Sequence, residues 1–170
     1  AYDAKWAPVG ANQIDKSLAT GDANIYEGIF ALSDKMVMFK SEFKKPNSIV
    51  YAYPFDAKGV RGEKVELISF PAEKAMNAGN FQVNVSEDGS KIVVICELPY
   101  IKETNEKCIV IVYDNNFKEL WKKEYEFAYP SDKAPHNDVF VSNNGVVFDL
   151  KRIQVKKQSD FFTLFTFAEK

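Results

Sequence analysis

Two stretches of the chain, Ile92 to Cys96 and Cys108 to Val112, are apolar at every consecutive position. Strands in a two-layer sheet normally alternate, one face in and one face out, so a strand apolar on both faces has to be covered on both. The segment Leu120 to Phe127 reads differently. It interleaves lysines and glutamates with Trp121, Tyr125 and Phe127, the pattern of a half-solvated strand. Phe161 to Phe167, near the C-terminal end, is again apolar on both faces.

Three turn clusters punctuate these strands: Ser33-Asp34-Lys35, Ser86 to Lys91, and Ser142-Asn143-Asn144-Gly145, their serines 53 and 56 residues apart. Each follows a short alternating stretch (Ile29 to Leu32, Phe81 to Val85, Asp138 to Val141). Each precedes a strongly β-prone one (Met36 to Phe39, Ile92 to Cys96, Val146 to Leu150), which predicts three hairpins of one kind. Pro46 and Pro99 each lie 13 residues beyond their serine and close the second strand. A third apolar strand follows in every copy (Ser48 to Tyr53, Cys108 to Tyr113, Phe161 to Phe167). In the first two copies it runs through a turn with Asp56 or Asp114 into a fourth, Glu63 to Phe70 and Leu120 to Phe127. The unit is four strands in up-and-down order. Two-sided middle strands and a wetter outer strand suit a β-propeller blade, which packs between neighbours and meets water at its outer edge.

The segment Ser86 to Val94 resembles the S-P-D-G-x-x-I/L hairpin of bacterial β-propellers of the TolB-like kind, and Ile109 to Trp121 resembles the strand, Tyr-Asp and Leu-Trp half of the same blade. The likeness is nearest to uncharacterised propeller proteins of the bacterial cell envelope and covers about residues 27–168. Glu87 stands where the pattern has Pro, the first copy lacks the turn Gly, and the tryptophan-aspartate signature of WD40 repeats is missing. The resemblance implies a fold and supplies no catalytic residues.

The expected fold is therefore all-β, a partial propeller of about three four-stranded antiparallel blades. Residues 1–26 form an N-terminal arm, 27–71 blade one, 81–128 blade two, and 138–168 an incomplete blade three. Propellers close with about four to eight blades, so we expect blade three to be covered by the remainder of a longer propeller or by another protein subunit. Pro71 to Gly79 reads as the crossing into blade two with one helical turn, and Tyr129 to Asn137 as the crossing into blade three.

Composition narrows the function classes. With 46% hydrophobic and 27% charged residues the chain can bury a core. Its net charge of −2 is spread without runs, and only Arg61 and Arg152 among 22 basic residues are arginine, so no nucleic-acid partner is expected. No apolar stretch approaches the roughly 20 residues of a membrane helix. Ala1 to Gly10 has neither the basic start nor the apolar run of a secretory signal, so the chain either lacks one or is a mature form. The resemblance implies an extracytoplasmic location: periplasm, outer-membrane-associated or secreted.

Catalytic, cofactor and metal residues are expected to be none. His136, the only histidine, reads as a loop residue between Pro130 and Asp138 and rules out a zinc site of several imidazoles. Cys96 and Cys108 fall on neighbouring strands and are expected buried and free, because a disulfide directly across such strands needs unusual geometry. Asp34, Asp56, Asp88 and Asp114 recur in turns, where bonding the local backbone suffices for each. Asn84-Val85-Ser86 matches a glycosylation sequon, but Asn84 is expected inside a strand. Trp6 and Trp121 are assigned to packing. The expected function is a non-enzymatic scaffold or protein-binding module. Two alternatives stand beside it: a fragment of a propeller hydrolase or lyase with its catalytic residues elsewhere, and a β-sandwich that binds carbohydrate.

Overall fold

The computed structural model describes residues 24–130, 136–154 and 159–170. The N-terminal arm apart from residues 24–26, Trp6 within it, and most of the crossing into the third unit lie outside the described residues. Eleven strands are described, in three antiparallel sheets. Sheet I joins β1 (Asn24–Ala31), β2 (Met36–Lys44), β3 (Asn47–Phe55) and β4 (Val65–Pro71). Sheet II joins β5 (Asn80–Val85), β6 (Lys91–Glu97), β7 (Asn105–Asp114) and β8 (Glu119–Pro130). Sheet III joins β9 (His136–Val141), β10 (Val147–Ile153) and β11 (Phe161–Phe167). Within each sheet spatial order equals chain order, and Ala75–Asn77 forms the single 3-10 turn on the crossing from sheet I to sheet II.

The turns explain why each strand pair starts in register. Ser86 N donates to Lys91 O and Gly89 N to Ser86 O; in the third unit Ser142 N donates to Val146 O and Gly145 N to Ser142 O. Gly89 and Gly145 have φ of 68° and 78°, the left-handed region that costs glycine nothing. The Ser86–Lys91 turn also presses on sheet I: a Cβ on Gly89 would lie 2.8 Å from Ser33 N. Asp88 Oδ1 accepts from Ser90 N, Asp56 Oδ1 from Lys58 N and Val60 N, and Asp114 Oδ1 from Asn116 N and Lys118 N. These three aspartates hold turns by bonding the local backbone, as their spacing predicts; Asp34 pairs instead with its neighbour Lys35.

Sheet II is the middle layer. Its first face meets sheet I in a core that includes Phe39, Val50, Phe81, Val94 and Ile111. Its second face meets sheet III in a core that includes Ile95, Val110, Trp121, Phe127 and Val141. Every residue from Ile92 to Cys96 is fully buried, which is what the unbroken apolar run requires. A two-sheet sandwich has no such middle layer. The first strands β1, β5 and β9 are in contact from sheet to sheet, while among the described residues no comparable contact joins β4 to β8. The sheets therefore converge at their first strands.

Two details depart from the sequence reading. β1 begins at Asn24 rather than at residue 27, and His136 and Asn137 belong to β9 rather than to a loop. In the second case pairing starts at His136, the residue that follows Pro135 in the sequence.

Phe39 is fully buried between sheets I and II, whereas Phe162 is 65% exposed. Phe39→Ala is expected to lower the unfolding free energy by about 3–5 kcal/mol. Phe162→Ala is expected to change it by no more than about 0.5 kcal/mol at a concentration dilute enough to keep the chain monomeric. Urea denaturation followed by tryptophan fluorescence compares the two.

Candidate functional sites

Where the first strands converge, Glu27 of β1, Gln82 and Asn84 of β5 and Asp138 of β9 line an open cavity of ≈ 280 Å³ floored by Phe81, Val83 and Val139. Two of these polar side chains, Glu27 and Asn84, are already engaged. Ser41 Oγ donates to Glu27 Oε1 at 2.5 Å, and burial, opposed by that hydrogen bond, holds the Glu27 carboxyl above its usual range. Asn84 Nδ2 donates to Val139 O at 2.6 Å and its Oδ1 accepts from Val85 N, so it ties sheet II to sheet III. Asn84 lies inside β5, as expected for an accidental sequon.

The second polar grouping is buried. Lys151 of β10 has a fully buried side chain and reaches across to sheet II, its Nζ 2.7 Å from Glu106 Oε1 and 3.4 Å from Glu97 Oε1, and 4.4 Å from the centre of the Phe127 ring. Asp149, two residues earlier on the same face of β10, is also fully buried. Glu97 and Glu106 thus share the Lys151 ammonium across the two sheets. Burial pushes the Glu106 carboxyl up to about 7, with Lys151 opposing and the adjacent Glu97 carboxylate adding to the rise. Sequence reading missed this cluster, although the alternation of Asp149 and Lys151 with Phe148 and Leu150 was visible.

The third feature is the outer face of sheet III. Register places Phe148 opposite Phe140 and Thr166, and Leu150 opposite Leu164. Phe140, Phe162 and Leu164 are 50%, 65% and 58% exposed. Among the described residues β11 has a strand neighbour on one side only. The same register positions are buried in the other sheets: Val37 and Phe39 in sheet I, Val93 and Ile95 in sheet II.

Trp121 is buried against sheet III, as expected of a packing residue. Among the described residues no group of three or more His, Cys, Asp or Glu side chains is arranged to hold a metal ion. No helix among them is long and apolar enough to cross a membrane.

Cys96 and Cys108 are both buried and free. In the β6–β7 register Cys96 faces Ile109 and Cys108 faces Glu97, so the thiols point to opposite faces of sheet II, one into each core. Burial drives both thiols upward, Cys108 to about 12. Neither is a thiolate near neutral pH. Native protein is expected to leave a thiol reagent such as DTNB unconsumed at mildly alkaline pH and to release two equivalents once unfolded in denaturant; two rapid equivalents from the native protein would contradict this placement.

No protein-family model, no curated protein and no solved structure matches the chain.

Proposed function

We propose that the chain is a non-enzymatic β-propeller segment, serving as a scaffold or protein-binding module within a larger chain or assembly, and that the outer face of sheet III seats a further sheet of the same repeat. The observation that carries this reading is the exposure of Phe148's face on sheet III at register positions that are buried in sheets I and II. The convergence of β1, β5 and β9 supports the propeller arrangement, since blades meet at their innermost strands. An extracytoplasmic bacterial setting is part of the proposal and rests on the likeness of the Ser86–Val94 hairpin to envelope propellers.

The occupant is a further sheet rather than the first sheet of a second copy. Met38, Tyr51 and Tyr53, on the face of sheet I that such a copy would have to offer, are already buried. Covering side chains as large as Phe162 and Leu164 is worth about 1.5–3 kcal/mol each. Among the described residues the outer edge of β11 beside them has no strand neighbour, and such an edge favours pairing.

Without the covering sheet, the 170-residue chain is expected to associate through this face. Light scattering across a concentration series should give a mass above 19.3 kDa, and the double variant Phe162→Lys, Leu164→Lys should return it to the monomer. A wild-type chain that stays monomeric and well dispersed would overturn the proposal.

A further inference from the structure

We propose that the β7–β8 turn of sheet II is a strained clip that grips the β1–β2 turn of sheet I, with Phe117 as the residue that holds it, and so fixes how the two sheets stack. Three of the described turns are closed by the same pair of backbone bonds. Asp56 N donates to Val60 O and Gly59 N to Asp56 O; Asp114 N donates to Lys118 O and Phe117 N to Asp114 O; Ser142 N donates to Val146 O and Gly145 N to Ser142 O. The Asp56 and Asp114 turns also share the two aspartate bonds to the backbone. The fourth residue of each turn is left-handed, with φ of 76° at Gly59, 66° at Phe117 and 78° at Gly145. Of the three, only Phe117 carries a side chain.

A bulky residue in that region is disfavoured against glycine by roughly tenfold, because its Cβ crowds the following carbonyl oxygen. The turn by itself does not account for Phe117, since Gly59 makes the same turn without strain. What the ring adds lies across the interface. It is half-buried and packs against the core between sheets I and II. Lys35 Nζ of the β1–β2 turn, which also pairs with Asp34 Oδ1 at 3.2 Å, stands 5.8 Å from the ring centre. Two positions before Phe117, Asn115 Nδ2 donates to Ser33 Oγ at 2.7 Å. Ser33 and Lys35 flank Asp34 in a turn closed by Leu32 N, which donates to Lys35 O at 2.8 Å. One turn of sheet II thus holds the β1–β2 turn at two points, a hydrogen bond on Ser33 and an aromatic face against Lys35.

The clip lies between sheets I and II, so it goes beyond the docking reading and stands whether or not sheet III is covered. Its consequence is conformational. The contacts of the ring and of Asn115 are made only while the sheets are stacked, whereas the strain is present whenever the turn holds its shape. Stacking and turn conformation are therefore coupled. Displacing the β1–β2 turn leaves Phe117 in a disfavoured conformation with nothing to offset it.

Urea denaturation of the full chain, dilute enough to stay monomeric, tests the clip. Were strain the whole story, Phe117→Gly would stabilise the protein and lower its unfolding constant by roughly tenfold. With the clip, the substitution should instead raise that constant by about threefold, because the lost ring contacts outweigh the strain relieved. Double-mutant cycles pairing Phe117→Gly with Lys35→Ala, and Asn115→Ala with Ser33→Ala, should each show a coupling of at least about twofold. Hydrogen exchange read by NMR should find the Leu32 amide, which lies in the other sheet, about threefold more open in Phe117→Gly, while the Gly145 amide stays level. A Phe117→Gly chain as stable as the wild type or more so, additive effects in either cycle, or an unchanged Leu32 amide would each overturn the clip. Should Phe117→Gly fail to fold, the Asn115–Ser33 cycle, which leaves the ring in place, decides the matter.

Discussion

The architecture depends on burying both faces of β6 and β7. Strands carrying Ile, Val and Cys at consecutive positions cannot sit on a solvated sheet, because half of that surface would meet water at about 25 cal/mol for each Å² left uncovered. Sheet I covers one face and sheet III the other, and sheet II becomes an internal layer. The remaining features follow from that stacking. The Ser86–Lys91 turn packs against the Ser33 turn, Tyr113 donates to Leu67 O of β4 across the first interface, and Asn84 donates to Val139 O across the second. Such bonds fix the register of one sheet on the next, while the apolar faces supply the adhesion.

Much of this was legible because it is written locally. Turn residues mark strand ends by their backbone conformation, and the unbroken apolar runs state two-sided burial outright. The buried charge cluster was not legible, for a physical reason. Val147-Phe148-Asp149-Leu150-Lys151 alternates, and alternation ordinarily turns the polar face to water. Here the polar face turns inward and Phe148 and Leu150 face out. Val147 and Ile153 lie on the same face as Asp149 and Lys151 and bury with them, and Glu97 and Glu106 of sheet II stand ready to pair with the lysine. The periodicity gives the two faces but not which one meets a partner. That choice depends on residues some 45 to 54 positions away.

His136 shows the same limit on a smaller scale. Flanked by Pro130 and Pro135, it reads as part of a loop, yet it opens β9 opposite Lys151. Prolines mark where pairing cannot run, not how soon it resumes. The cavity at the first strands was likewise out of reach of the sequence, since Glu27, Asn84 and Asp138 come from three different sheets.

The two interfaces solve one packing problem with different chemistry. At register-equivalent positions, the first uses Ser41 and Cys96 near Glu27, and the second uses Glu97 and Lys151. A hydroxyl and a thiol bury at modest cost and stay neutral. A buried ammonium among carboxylates is expensive, and replacing such a group with well-packed hydrophobic residues is often neutral or stabilising. Stability alone therefore does not account for the choice made at the second interface. What the ionic arrangement adds is directional pairing that fixes sheet III in one position on sheet II. The sheet held in this way is the one whose other face is open. The element with the exposed apolar face is thus joined to the rest of the fold through directional, charge-assisted contacts as well as apolar packing.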